Sequence, residues 1–387
     1  MKRFKVYFPS SAIAACILSV LGIAPPSHAQ TAPSTSNLSK RLIGDYGYWS
    51  RTQVPSYSSE QIPFGELTDI NHAGVSFDAN GELVVPSGFL EKELLDKAHE
   101  NGVHVMLLLG GDFSGMETTA GGLNALLKNL LTFIQTYGYD GVDIDWEYPS
   151  SAEDVAFFRS LLFGLRSVLP SPRYIISADV PPWGGSGYDF SETKFIVDYF
   201  NIMTYDCAGP WTDSGQLNSP IFWDNNDPEA YNCEPGGSVQ QAIDIYEGLA
   251  IPKAMLNIGT PFYGYVYHQV NALWGYCSNQ VLQQNQGECG DTVDYENYGT
   301  YFKQRINKDG WRTYYDPYAL VPYMLRADGG EGFITYDDAS STFYRVWYTD
   351  WARDLGGTFI WELDADYDGH SQDLLDAAYN ASLPQTK

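Results

Sequence analysis

Three carboxylic acids stand at every second position of one short segment of this chain: Asp143, Asp145 and Glu147. They alternate with large apolar residues, namely Val142, Ile144 and Trp146. Because side chains at i, i+2 and i+4 of a β-strand point the same way, the pattern predicts three carboxyls on one face. Crowded like charges raise the pKa of at least one carboxyl, which then keeps a proton near neutral pH. Such a carboxyl can serve as a general acid.

Two other interpretations of this segment are weaker. A calcium loop of the EF-hand kind alternates Asp and Asn with polar residues or glycine, and its Glu comes much further along the chain. A solvated acidic edge would not alternate with valine, isoleucine and tryptophan. The pattern therefore favours catalysis.

The segments around these carboxyls predict the elements that position them. Strand patterns cover residues 42–49, 69–77, 103–109, 141–148, 174–180, 199–205, 254–260 and 357–363. Helical patterns cover residues 88–101, 122–137, 152–169, 238–249, 340–355 and 371–379. Eight strands alternating with helices predict an α/β fold, a (β/α)8 TIM barrel, with the acidic segment as the fourth strand. The carboxyl ends of such strands carry the active sites of these barrels.

One connection is too long to be a structureless barrel loop. Residues 262–338 are rich in tyrosine, glycine and asparagine, and they contain two cysteines. We predict a small α+β insertion subdomain here, between strand 7 and helix 7. The catalytic barrel then comprises residues 41–261 and 339–383.

The amino terminus has the pattern of a secretory signal. Basic residues precede a mostly apolar run at 12–23, and Ser27-His28-Ala29 supplies small residues around a cleavage point. We predict a signal peptide at 1–29, a disordered leader at 30–40, and a secreted, extracellular protein. An uncleaved membrane anchor is the alternative, but the apolar run is short for a bilayer.

Four cysteines remain once Cys16 leaves with the signal: Cys207, Cys233, Cys277 and Cys289. An even number in an exported protein favours two disulfides. The sequence permits three connectivities. Pairing Cys207 with Cys233 and Cys277 with Cys289 closes one local loop each. The spacings of structural zinc sites are absent, so we expect no metal.

Charge and composition limit the partners. The formal net charge is −26, which disfavours nucleic acid and anionic membranes as partners. The chain has 29 Tyr, 19 Phe and 10 Trp, and flat neutral ligands such as sugars are often held on aromatic rings. Neither a phosphate-binding loop nor a Gly-x-Ser-x-Gly motif occurs, so we expect no cofactor. We expect a monomer.

The acidic segment, Asp140-x-x-Asp143-x-Asp145-x-Glu147, resembles the signature of glycoside hydrolase family 18, the chitinase family. Other segments resemble the strands of that family in the same order. They are Leu-Gly-Gly at 109–111, Met-Thr-Tyr-Asp at 203–206, Pro-Phe-Tyr-Gly at 261–264, Phe-Ile-Thr-Tyr-Asp-Asp at 333–338, and Trp361. The resemblance covers most of the chain after the signal.

This resemblance implies retaining hydrolysis of β-1,4 linkages in chitin or chitooligosaccharides, assisted by the acetamido group of the substrate. Glu147 would be the acid and base. Asp145 would orient the acetamide, Asp143 would tune the shared protonation, and Tyr205 would donate to the acetamide oxygen.

The resemblance also implies a set of supporting residues. Substrate-binding candidates are Asp206, Met203, Trp361, Trp211, Trp183, Tyr48, Phe113 and Tyr263. Of these, Trp183 and Trp211 fit rim packing as well as sugar platforms. Structural candidates are Asp140, Gly110 and Gly111.

Three positions depart from the family pattern. Leu108 replaces a common serine, so a hydrogen bond under the acidic ladder is in question. Asp112-Phe113 replaces a frequent tryptophan, and Tyr265 replaces an arginine that often contacts the leaving sugar.

Two other functions stay open at this point. One is an endo-β-N-acetylglucosaminidase that acts on N-glycans, although the motif at 203–206, the insertion and Trp361 favour the chitinase type. The other is a non-catalytic chitin-binding lectin or effector; such proteins usually lose the acid, which Glu147 retains here.

Overall fold

A computed structural model describes residues 37–114, 121–223 and 237–384. Eight parallel strands form a closed barrel: β1 (Arg41–Gly47), β2 (Asp69–Phe77), β4 (His104–Gly110), β5 (Gly141–Asp145), β6 (Ile175–Val180), β7 (Tyr199–Ile202), β8 (Leu256–Pro261) and β14 (Gly357–Trp361). The short strand β3 (Leu83–Val84) pairs antiparallel with β2. Because β1 pairs with both β2 and β14, the sheet closes on itself. This confirms the TIM barrel and all eight predicted strands.

Nine α-helices accompany the strands in the described ranges. They are α1 (Lys92–Glu100), α2 (Gly122–Tyr137), α3 (Ala152–Val168), α4 (Phe190–Thr193), α5 (Val239–Gly248), α6 (Asn279–Gln284), α7 (Lys303–Arg305), α8 (Ala339–Trp347) and α9 (Asp373–Ser382). Helix α3 begins with a capping box, because Ser151 accepts from the backbone of Asp154 and Asp154 accepts from the backbone of Ser151. This cap fixes the chain just after the acidic segment.

The insertion is a second, antiparallel sheet of five strands. These are β9 (Tyr263–Tyr267), β10 (Val293–Asn297), β11 (Trp311–Tyr315), β12 (Pro322–Arg326) and β13 (Phe333–Thr335), in the order β10-β9-β13-β12-β11. Strand β9 begins two residues after β8 ends, so this sheet continues directly from the seventh barrel strand. The exact domain limits stay a prediction.

One predicted disulfide is present. Cys277 and Cys289 are bonded, with their Cα atoms 5.6 Å apart, and they close a loop of the insertion. The other predicted pair includes Cys233, which lies outside the described residues.

The interior of the barrel carries polar side chains where TIM barrels usually carry branched apolar ones. Hydrogen bonds join these side chains across the strands and place them on the inner face. The buried members are Asp45, Asn71, Asp143, Ser177, Asp179, Asn201 and Asn257. The apolar core therefore lies mainly between the sheet and its helices.

The predicted signal peptide and most of the predicted leader belong to residues 1–36, outside the described ranges. Within those ranges, no helix combines the length and apolar character needed to cross a membrane. The prediction of a cleaved signal therefore stays a prediction.

Candidate active site

The acidic segment runs from the buried interior of the barrel towards its mouth. Strand β5 ends at Asp145 rather than at residue 148, so Glu147 stands just beyond the last paired residue. Asp143 is fully buried, whereas Asp145 and Glu147 are partly exposed. The three carboxyls thus form a row whose outer end can meet a ligand.

Asp143 is supported by two neutral donors, one on the neighbouring strand β6 and one on β7, the strand beyond it. The hydroxyl of Ser177, on β6, donates to Asp143 Oδ1 at 2.5 Å, and the Asn201 amide donates to the same oxygen at 3.3 Å. On the other side, β4 contributes Leu108 at the paired position. The donor that seemed to be missing at Leu108 is therefore supplied by Ser177.

The pKa values of this row are raised chiefly by burial. Burial raises the pKa of Asp143 to about 6, against the hydrogen bond from Ser177. Burial, then the charges of Glu147 and Asp143, raise the pKa of Asp145 well above its usual value. Like-charge crowding, the cause expected from the sequence, is thus the second contribution to the raised pKa of Asp145, and burial is the first.

Glu147 holds its proton close to neutral pH. Burial and the nearby charge of Asp206 raise its pKa to about 7, while a hydrogen bond with Tyr148 acts in the opposite direction. A carboxyl with this pKa donates a proton readily at neutral pH and accepts it back afterwards.

Sequence reasoning missed two carboxyls of the same cluster, Asp45 on β1 and Asp179 on β6. Both are buried, and burial followed by the charge of Asp143 raises the pKa of each well above its usual value. Asn71 donates to Asp45 at 2.9 Å. The available signal was an aspartate within a mostly apolar, buried strand.

Asp206 lies at the cleft beside Glu147 and is clamped by two tyrosines. The hydroxyls of Tyr263 and Tyr265 donate to Asp206 Oδ1 at 2.5 Å and 2.7 Å. The residue is exposed, but its carboxylate is enclosed by its neighbours, which raises its pKa against these two hydrogen bonds. Tyr265, a departure from the family pattern, is thus a partner of Asp206.

Tyr205 is held in the wall of the cleft. Its ring centroid lies 5.9 Å from those of Tyr263 and Phe359, and burial keeps its pKa far above the usual value. The hydroxyl therefore stays protonated and able to donate. Gly259 makes room for the ring, since a Cβ there would lie 2.7 Å from Tyr205 Cε1.

Aromatic side chains stand around the acidic row. Trp361, at the end of β14, is partly exposed and lies 6.4 Å from Trp49. The Trp49 indole N–H donates to Glu362 at 3.0 Å, which fixes the ring beside Trp361. Trp361 thus presents a partly open face at the end of the barrel where Glu147 lies.

Trp183 and Trp211, which fit either rim packing or a sugar platform, pack edge-on against tyrosines. Trp183 lies 5.2 Å from the Tyr148 ring and is 36% exposed. Trp211 is partly exposed and lies 5.5 Å from the ring of Tyr265, the partner of Asp206. Both therefore combine packing with exposed surface.

Of the other binding candidates, Tyr48 is partly exposed against Phe89, and Met203 is nearly buried beside Tyr205. Phe113 has no exposed surface: its ring packs 4.3 Å from Phe77 and 5.1 Å from Trp146. We therefore correct its assignment, because this placement is packing and not a ligand contact.

The structural candidates lie at the ends of strands. Asp140, just before β5, accepts from the Val105 backbone and from His99, each at 2.8 Å. Gly110 lies beside the ladder, where an added Cβ would be 3.6 Å from Asp145 Oδ2. Gly111 has φ +142°, which favours glycine.

Within the described ranges, no group of three or more His, Cys, Asp or Glu side chains is arranged to hold a metal ion. A (β/α)8 barrel that carries a row of carboxyls at the end of one strand, the outermost with a pKa raised to about 7, has the arrangement that general acid–base catalysis requires. Residues 41–366 match the sequence model of the "Glycosyl hydrolases family 18", and the chain belongs to this family.

Known proteins resemble the chain over most of its length. Chitinase B of Serratia marcescens is 25% identical over 428 aligned positions, covering 89% of this chain and 84% of that protein. Chitinase A1 of Niallia circulans is 29% identical, covering 68% of this chain and 40% of that protein. A probable endochitinase of Caenorhabditis elegans is 28% identical, covering 66% and 41%. The chain thus spans about two fifths of the length of the last two.

A solved structure agrees on the fold. The Group IV chitinase of Ostrinia furnacalis superposes with a TM-score of 0.77 at 21% identity, covering 88% of this chain and 99% of that one. This likeness concerns the fold alone.

Proposed function

We propose that the protein is a secreted chitinase that hydrolyses β-1,4 linkages between N-acetylglucosamine units with retention of configuration. The observation that carries this proposal is the pair Glu147 and Asp145. Glu147 has a pKa of about 7 at the mouth of the barrel, and the next carboxyl of the row stands directly behind it. Chitinase names among the relatives support the choice of substrate.

Glu147 begins the reaction as the acid. It donates its proton to the glycosidic oxygen, while the acetamido carbonyl oxygen of the substrate attacks the anomeric carbon and the bond to the leaving sugar breaks. The product of this step is an oxazolinium ion. Glu147, now a carboxylate, then takes a proton from water, which attacks the anomeric carbon and restores the acetamide.

Asp145 orients the acetamide, and Asp143 tunes the protonation that the two carboxyls share. Asp145 accepts the acetamide N–H, and this hydrogen bond favours its ionised form. The proton that Asp145 loses passes to Asp143, whose pKa is about 6. The pair thus exchanges a proton as the positive charge of the oxazolinium ion develops.

Other side chains hold the sugar. The Tyr205 hydroxyl donates to the acetamide oxygen, Asp206 hydrogen-bonds close to the same ring, and Trp361 forms the floor beneath it. Aromatic stacking on Trp361 offsets the cost of distorting the sugar.

We also propose that the chain is exported. The amino-terminal pattern supports this, and so does the bond between Cys277 and Cys289, since disulfides persist mainly in oxidising compartments.

One experiment separates the proposed activity from its alternatives. The protein is incubated with chitooligosaccharides and with a high-mannose glycopeptide, and the products are identified by mass spectrometry. Cleavage of the chitooligosaccharides alone supports the chitinase. Cleavage of the glycopeptide contradicts it in favour of an endo-β-N-acetylglucosaminidase, and micromolar binding without turnover contradicts it in favour of a lectin.

A further inference from the structure

A line of three hydrogen bonds crosses the barrel interior from Arg41 to the inner end of the acidic row. Arg41 Nε donates to Asn257 Oδ1 at 3.0 Å. Asn257 Nδ2 donates to Asn201 Oδ1 at 2.9 Å, and Asn201 Nδ2 donates to Asp143 Oδ1 at 3.3 Å. Strands β1, β8, β7 and β5 each supply one of these four residues.

Chemistry fixes the direction of every bond in this line. A guanidinium can only donate, so the atom of Asn257 that faces Arg41 must be its carbonyl oxygen. The amide nitrogen of Asn257 then faces Asn201, and the nitrogen of Asn201 faces Asp143. All three bonds therefore point the same way, from a permanent positive charge to a carboxylate.

The line is enclosed. Asn201, Asn257 and Asp143 are fully buried, so no solvent screens the amides. Arg41 is partly buried at the start of β1, where it also donates to the Ala254 carbonyl and lies 4.5 Å from the centroid of the Tyr199 ring. In such surroundings, aligned hydrogen bonds polarise one another.

The other groups near Asp143 are neutral or acidic. Asp145 comes from its own strand, Leu108 from β4, Ser177 and Asp179 from β6, Asp45 from β1, and Tyr199 from β7. Among the described residues named here, Arg41 is the cation, and the line of hydrogen bonds links it to Asp143.

We propose that Arg41, Asn257 and Asn201 are positioning residues for the catalytic row, because they orient Asp143 and stabilise its ionised form from the floor of the barrel. None of them touches the substrate. The kinetic consequence rests on the proposed function, since it requires Asp143 and Asp145 to exchange a proton during catalysis.

Interrupting the line at any point has a defined consequence. Without the aligned donors, the ionised form of Asp143 is less stable, so the pKa of this carboxyl rises. The acid limb of the kcat/KM profile then moves to higher pH by about half a unit. Since the bonds act in series, removing two of them shifts the limb little more than removing one.

The kinetic test compares the protein with Arg41→Gln, Asn257→Leu and the double variant, using kcat/KM for a chitooligosaccharide between pH 4 and pH 9. Lys40→Gln is the matched control, because this neighbouring lysine pairs with Asp354 and the Leu355 carbonyl instead. We expect each single variant to move the acid limb of kcat/KM to higher pH, and the double variant to move it little further. Arg41→Lys should move the limb less than Arg41→Gln does, and the Lys40→Gln control should leave it in place. Unchanged limbs, or fully additive shifts, overturn the proposal.

A second measurement does not need turnover. The carboxyl carbons of aspartate are labelled with ¹³C, and the Asp143 resonance is assigned by its absence in Asp143→Asn. If the line acts as proposed, the Asp143 resonance titrates at higher pH in Arg41→Gln than in the unmodified protein. An unchanged titration midpoint overturns the proposal. If the protein fails to cleave chitooligosaccharides, the proposed function falls while this titration still decides the inference.

Discussion

Ser177 donates a 2.5 Å hydrogen bond to the buried carboxylate of Asp143, from the strand on the side away from Leu108. The inner end of the acidic row is therefore held from β6, although β4 is where the family pattern places a serine. This bond favours the ionised form of Asp143. In the proposed mechanism it therefore influences the proton that Asp143 and Asp145 share.

Replacing Ser177 tests this support directly. In Ser177→Ala, loss of the donor raises the pKa of Asp143, so the acid limb of kcat/KM moves to higher pH by about one unit. The measurement is a pH–rate profile with a soluble chitooligosaccharide. Ser160→Ala removes an exposed hydroxyl on α3 and is the control. A profile that does not move would show that Ser177 is only a packing residue.

We expect the charge of Asp206 to set the alkaline limb of the pH–rate profile. Its carboxylate is the main charged group that raises the pKa of Glu147. In Asp206→Asn this charge is lost and the pKa of Glu147 falls. The alkaline limb of the pH–rate profile therefore moves to lower pH, by about half a unit to one unit. Kinetics between pH 6 and pH 9 measure the shift. Asp213→Asn, in the same segment after β7, is the control and should leave the alkaline limb in place. Movement of this limb to higher pH in Asp206→Asn would contradict the account.

Gly259 is required because the ring of Tyr205 occupies the space of a side chain. In Gly259→Ala the new Cβ would meet Tyr205 Cε1 and the Ile202 carbonyl, so the ring has to move. We expect kcat/KM to fall at least tenfold, with a loss of about 1–3 kcal/mol in the free energy of unfolding. Steady-state kinetics and chemical denaturation measure the two effects.

Gly248→Ala is the matched control for this variant, since no atom lies within 4 Å of the added Cβ. Its activity should equal that of the unmodified protein. A fully active Gly259→Ala variant would show that the position of the Tyr205 ring is not critical.

Strong local patterns made parts of the fold predictable. Strand β2 and helix α2 have the predicted bounds. The apolar residues of α2 repeat with the helical period between Gly121 and Gly138, and a turn sequence at 78–81 follows β2. The strand with the carboxyls was predicted three residues too long. Its alternation continues to Glu147, but β4 ends at Gly110, opposite Asp145, and offers no partner beyond.

The grouping of Asp143, Asp145 and Glu147 in one row could be predicted, whereas the surroundings of its inner end could not. Glu147 and Asp145 belong to one pattern in the sequence. Asp45 and Asp179 are isolated in separate strands, and only closure of the barrel brings them near Asp143. The same holds for Arg41 and Asn257, which are separated by 216 positions.

Glu147 carries the central claim, and its amide variant tests that claim most directly. In Glu147→Gln the proton donor is lost while the shape of the side chain is kept, so kcat for chitooligosaccharides should fall about 10²–10⁴-fold with binding retained. Glu153→Gln, on the exposed first turn of α3, should leave kcat unchanged. Turnover by Glu147→Gln at the rate of the unmodified protein would contradict the account.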